Sequence, residues 1–201
     1  MSKQNHTAAG GALSLERLMF FSDAVFAIAI TLLVLELKIP HLERNPARFA
    51  PAMLGLLPQV FAFTLSFLVI GRFWMSHHQL MDHVDRFDPG LLWPNMLYLM
   101  SIAFMPFSTA LIGENLGMFG PALIYNLSLL TTALLGLQLV RKVIKLGLVR
   151  GPLTGEMHGA SAVVIAALLS TALTFVFPPI SQMAMATVPL WIWLLGKSDK
   201  S

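Results

Sequence analysis

Apolar runs of about 20 residues recur along the chain, separated by short polar stretches that hold most of the charged residues. A helix of about 20 residues covers the ~30 Å hydrocarbon core of a bilayer. The pattern therefore predicts spanning helices at roughly 15–38, 53–76, 91–112, 121–140, 159–177 and 178–196. Pro178 and Pro179 separate the last two runs. Each lacks an amide donor and restricts the residue before it, so a tight turn between two short spans is expected in place of one long helix. Pro94, Pro106 and Pro189 fall inside predicted spans, where membrane helices tolerate proline, and kinks are expected there. The connections are too short for a second domain. The expected organisation is a flexible cytoplasmic tail at 1–14, a single six-helix transmembrane domain at 15–196 and a C-terminal tail at 197–201. Residues 1–14 have no apolar stretch of the kind a secretory leader carries, so the first span is expected to remain in the mature protein.

Composition sharpens this picture. The chain is 56% hydrophobic and 11% charged, beyond what a soluble domain usually shows. The fold class expected is an all-α, six-transmembrane-helix membrane protein. Cysteine is absent, which excludes disulfides and Cys-based zinc sites. A formal charge of +3 with no basic run argues against a nucleic-acid partner. Charge acquires meaning once it is assigned to loops. With the N-terminus inside, Lys3, Arg86, Arg141, Lys142, Lys145, Arg150, Lys197 and Lys200 fall on the cytoplasmic side, against Lys38, Arg44 and Arg48 outside. Six spans and this bias both put the two termini in the cytoplasm, in a cell inner (plasma) membrane.

Within the first span Asp23 stands out, because an ionised Asp near a helix centre costs about 2.5–3.5 kcal/mol on the insertion scale. It requires a helix end, a partner or a polar surrounding. At ~100° per residue, Phe21, Ile28, Leu32 and Leu35 share one narrow stripe with Thr31 at its flank, while Ser22 and Asp23 point elsewhere. Ile30, Leu33 and Leu37 form an equally apolar opposite face, so periodicity leaves open which stripe packs and which meets another environment. Ser22 and Asp23 either join the helix to the bundle or take part in a proton relay.

The sequence Arg17-x-x-x-Phe21-Ser22-Asp23 at the start of an apolar first helix resembles the signature of the transmembrane protein 175 family of lysosomal and prokaryotic potassium channels. "SFLVIGRFWMSHHQL" in the second span and "NMLYLMSIAFMPFSTALIGE" in the third extend the likeness, and the six spans look like the bacterial branch. The resemblance implies a homotetramer with helix 1 lining a central pore. It implies a pore constriction at Ile28, Leu32 and Leu35, with Thr31 lining the pore and contributing to selectivity. Behind the pore helix it implies a polar network of Arg17, Ser22 and Asp23 with His77, Trp93 and Asn95, although His78 is an alternative to His77. Asp23 would then brace the pore helix from behind. The expected function is a cation channel modestly selective for potassium over sodium, with potassium ions and the lipid bilayer as partners and no cofactor. No T-V-G-Y-G filter loop occurs in the chain, so apolar rings are expected to select by dewetting and by the cost of shedding ion hydration.

Other patterns bear on rival classes. "HHQLMDHVDRFD" gathers His77, His78, Asp82, His83, Asp85 and Asp88, and His78 with Asp82 at i,i+4 suits metal ligation on one helix face. A membrane metalloenzyme is thus a rival, weakened by the lack of an H-E-x-x-H motif. Neither a metal nor an enzymatic activity is expected. An ion-coupled or proton-coupled secondary transporter is nearer, but the chain shows no paired broken helices of the inverted-repeat kind. Trp74, Trp191 and Trp193 read as interface anchors, and Arg72 is expected to snorkel or pair within the second span.

Overall fold

The computed structural model describes residues 3–38, 46–149 and 151–198. Arg44, Arg150 and Lys200 lie outside them. Helix α1 runs Lys3–Leu32 and tightens into a 3-10 turn at Leu33–Glu36; α2 covers Phe49–Gly55 and leads into α3, Leu57–Asp82. Then follow α4 (Leu92–Glu114), α5 (Phe119–Lys145), α6 (Thr154–Thr174), a 3-10 segment Pro178–Thr187 and α7 (Val188–Ser198). Among the described residues no strand occurs, and six helical stretches are long and apolar enough to cross a membrane.

The helix ends follow local chemistry. Pro58 sits in the first turn of α3, where its missing N–H costs nothing. Asp88 accepts the Gly90 amide at 2.6 Å and starts the turn that leads into α4. Pro94 and Pro189, expected to kink their spans, instead occupy the first turns of α4 and α7, where no intrahelical bond is lost; Pro106 alone lies inside a helix. The helix also reaches back to Lys3 through residues expected to form a tail, a segment in which Ala8, Ala9 and Ala12 favour helix.

The sixth span departs furthest from the pattern. Pro178 and Pro179 open ten residues of 3-10 helix, a longer interruption than a tight turn. Backbone freed in this way must find partners inside the protein. Buried Asn126 on α5 donates to Thr174 Oγ1 at 2.7 Å and Ser181 Oγ at 2.8 Å, and Ser170 Oγ donates to the Ser181 carbonyl at 2.8 Å. This cluster anchors the broken span to α5 and α6. The core runs between α1, α3, α4 and α5 through Phe26, Leu33, Ile70, Ile102, Met105 and Leu129. Helix α1 packs against α3 and α4, which leaves the rest of its circumference free of this chain.

Candidate functional site

The two stripes of α1 meet different environments. Phe26 and Leu33 are 1% and 0% exposed, whereas Ile28, Leu32 and Leu35 are 58%, 42% and 73% exposed. Thus the Leu33 face packs inward, and the stripe expected to line a pore faces away from the chain's own helices. Ala24, Ala27 and Thr31 share that outward face. The tightening at Leu33 matters to it: side chains three apart eclipse in a 3-10 helix, which keeps Leu35 in line with Leu32. Thr31 Oγ1 donates to the carbonyls of Ala27 and Ile28, each at 2.9 Å. Its proton is committed to backbone, so its lone pairs are left to accept from water or to face a cation.

Behind this stripe, Ser22, Asn95 and His77 form one buried chain of hydrogen bonds. Ser22 Oγ donates to the Leu18 carbonyl at 2.8 Å and accepts from Asn95 Nδ2 at 3.0 Å. With its amide nitrogen turned to Ser22, Asn95 presents Oδ1 to His77 Nε2 at 2.8 Å, so that nitrogen carries the proton. His77 also stacks on Tyr98 with ring centroids 5.7 Å apart, and Phe26 of α1 closes against both rings. The network links α1, α3 and α4, and among the described residues no buried side-chain polar atom lacks a partner. It is His77, of the two adjacent histidines, that faces this network. His78 stacks on Trp74 outside it.

Asp23 is half-buried and accepts from Trp74 Nε1 at 2.9 Å. That bond, together with partial solvation, removes much of the cost of placing a carboxylate inside the span. The structure does not bring Trp93 to the network: it precedes Asn95 by two positions, about 200° around α4, and is 77% exposed. Trp74 supplies the indole in its place. Its signal in the sequence was position: it lies one turn before His77 and His78, so it projects from α3 beside the network toward the neighbour of Ser22. Arg17 is exposed, and no described hydrogen bond or ion pair ties it to Ser22, Asn95 or His77.

The histidine-rich run scatters its side chains. His77 points inward, His78 lies 3.6 Å from Asp82, and His83 faces the Gln79 carbonyl at 2.8 Å and Glu156 at 3.5 Å. Among the described residues no three His, Asp or Glu converge as metal ligands. At the other end of α1, Lys38 bonds Glu114 at 2.5 Å and its amide donates to Gln59 Oε1 at 3.0 Å. The hydrogen bond that Lys38 donates to Glu114, then the Glu114 charge, raises the Lys38 pKa. These contacts tie the end of the outward stripe to α3 and α4.

Comparison with known proteins agrees with this architecture. Residues 17–106 match the family model described as the endosomal/lysosomal potassium channel TMEM175. A Streptomyces collinus protein named as a potassium channel is 44% identical over 100 residues, 50% of this chain and 48% of that one. Mouse TMEM175, named as an endosomal/lysosomal proton channel, is 33% identical over 100 residues, 46% of this chain and 19% of that one. The matched region thus spans about half the length of the bacterial relative and a fifth of the mouse one. Over the whole fold, the crystal structure of a lysosomal potassium-selective channel TMEM175 homologue from Chamaesiphon minutus is similar with a TM-score of 0.71 at 30% identity, covering 90% of this chain and 97% of that chain. Matching motif, matching helices and near-complete structural overlap lead to one assignment: this chain belongs to the TMEM175 family.

Proposed function

We propose that the chain is a potassium channel, modestly selective over sodium, that assembles as a homotetramer around the outward stripe of α1. One observation carries this reading: an apolar helix face with Ile28, Leu32 and Leu35 all exposed, set back to back with a fully packed face, in a chain whose relatives are named as channels. In fourfold symmetry each of these side chains becomes a ring. An apolar ring is costly to wet when narrow, and when wider it disfavours the ion that holds its water more strongly, which is sodium. Thr31 oxygens, their protons committed to backbone, replace part of the lost hydration. Ser22, Asn95 and His77 hold the pore helix, and Asp23 is braced by Trp74. Residues 15–196 form the channel domain, with both termini cytoplasmic in a cell inner membrane. A coupled transporter gains no support, because the ten-residue 3-10 interruption of the sixth span has no counterpart of similar length among the other described spans.

The test is planar-bilayer recording of the purified protein under opposed potassium and sodium gradients. A reversal potential displaced toward the potassium equilibrium value is expected. Absence of current, or a reversal potential unmoved when the two cations are exchanged, overturns the reading. A pH gradient belongs in the same series, since the mouse relative is named as a proton channel.

A further inference from the structure

On the far side of the His77–Tyr98 pair from α1, a largely apolar cavity with a few polar groups on its wall meets an apolar groove at Arg72. The cavity, about 270 Å³, lies between α3, α5 and α6 at the end of the bundle where α3 finishes and α6 begins; Arg72, Ser76 and Gln79 line it from α3 and Gly155, Glu156 and Gly159 from α6. The groove, about 320 Å³, opens on the Leu65 side of Arg72, between Leu65, Leu68 and Val69 of α3 and Met185, Val188 and Pro189 of the broken span. Arg72, Phe73 and Val163 border both.

The charges here are incompletely matched. Arg72 donates to Ser76 Oγ, and no carboxylate among the described residues lies within ion-pair distance of it. A guanidinium at this depth needs an anion or water, since burial without a partner is costly. Its Nη2 would be 3.7 Å from a Cβ at Gly159, so the cation rests against α6 where the helix has no side chain. Glu156 lies about one turn earlier on α6. Its contact with His83 Nδ1 at 3.5 Å is the longer of two, because that nitrogen also faces the Gln79 carbonyl at 2.8 Å. One cavity thus carries a cation and, about a helical turn away, a carboxylate with bonding capacity to spare.

We propose that this is a binding site for a phospholipid with a zwitterionic phosphoethanolamine head. The phosphate accepts from Arg72 and Ser76, the ammonium reaches Glu156, and an acyl chain lies in the groove. Direction supports the assignment as well as charge. Helix α3, Leu57–Asp82, is 26 residues, more than the ~20 needed to span, and its polar run Ser76–Gln79 marks the end at which the excess leaves the hydrocarbon. Arg72, about three turns before Asp82, then sits near the headgroup boundary, with the groove running from it toward the bilayer centre. Basic pockets between helices near the membrane surface recognise lipid heads in this way. The site depends on the membrane setting alone, so it stands or falls independently of ion conduction.

Native mass spectrometry and thermal unfolding of the purified protein, with phosphatidylethanolamine or phosphatidylglycerol added, test it. The ethanolamine lipid should be retained about tenfold better, the factor carried by one charged hydrogen bond. Glu156→Gln should reduce that preference to within about twofold, and Arg72→Gln should weaken both lipids about tenfold. Gly155→Leu adds bulk where the backbone has open space around it and should exclude either head, so it decides the matter if Arg72→Gln fails to fold. Equal retention of the two lipids by the parent, an unchanged preference in Glu156→Gln, or parent-like binding in Gly155→Leu overturns the proposal. Stabilisation by free phosphoethanolamine equal to that by the lipid also overturns it, in favour of a soluble phosphate ester.

Discussion

Replacing Asn95 by Leu keeps a similar volume and removes both of its inter-helix bonds, the 3.0 Å contact to Ser22 on α1 and the 2.8 Å contact to His77 on α3. The consequences for the two partners differ. Ser22 still donates to the Leu18 carbonyl and loses only an acceptance. His77, 4% exposed, is left with Nε2 facing an apolar side chain where Asn95 Oδ1 stood. Two inter-helix bonds at the average measured within membranes, about 0.6 kcal/mol each, give about 1.2 kcal/mol. The stranded donor adds about 1–3 kcal/mol. The expected loss is therefore about 2–4 kcal/mol, read as a lower unfolding midpoint in detergent and poorer recovery of the assembled protein. The triple variant Ser22→Ala, His77→Phe, Asn95→Leu separates bonding from packing. It removes every polar group in the network and keeps an aromatic ring against Tyr98, so it should return to within about 1 kcal/mol of the parent, because matched apolar replacement leaves nothing unsatisfied. The reasoning fails if Asn95→Leu loses less than about 0.5 kcal/mol, or if the triple variant falls as far as its three single changes combined.

The two faces of α1 provide a second comparison. Ile28→Asn should raise leak current and reduce potassium preference with assembly intact, whereas Leu33→Asn buries an amide in a fully packed site and should cost folding first, by about 1–3 kcal/mol; a Leu33→Asn protein that assembles and leaks, beside a parent-like Ile28→Asn, means the pore stripe is the inner one. Thr31→Val keeps the side-chain size and removes the exposed oxygen, so the potassium-to-sodium permeability ratio should fall without a large leak, and an unchanged ratio in bilayer recordings would remove Thr31 from the ion path. For topology, single cysteines at Ala47 and Lys145 of this cysteine-free chain should react with an impermeant thiol reagent from opposite sides of the membrane, Ala47 from outside; labelling of both from one side contradicts the three spans between them, and Ala47 labelled from inside contradicts the proposed orientation.

Membrane-spanning character was legible because it depends on the length and apolarity of local runs: all six spans appear in the structure close to where composition alone puts them. The same locality made Asp23 conspicuous, since the cost of a charge in hydrocarbon needs no knowledge of neighbours. Partners are another matter. Helix α1 is apolar all round, so only its packing on α3 and α4 decided that Leu33 turns inward and Ile28 outward. The choice of His77 over His78, and of Trp74 over Trp93, likewise rests on which faces of α3 and α4 meet α1, a relation between helices that no single helix encodes. The ten residues of 3-10 helix after Pro178 were hidden for the same reason. Two prolines announce a break, but its length is set by the partners Asn126 and Ser170 offer to the freed backbone and to Ser181, and those come from helices distant in the chain.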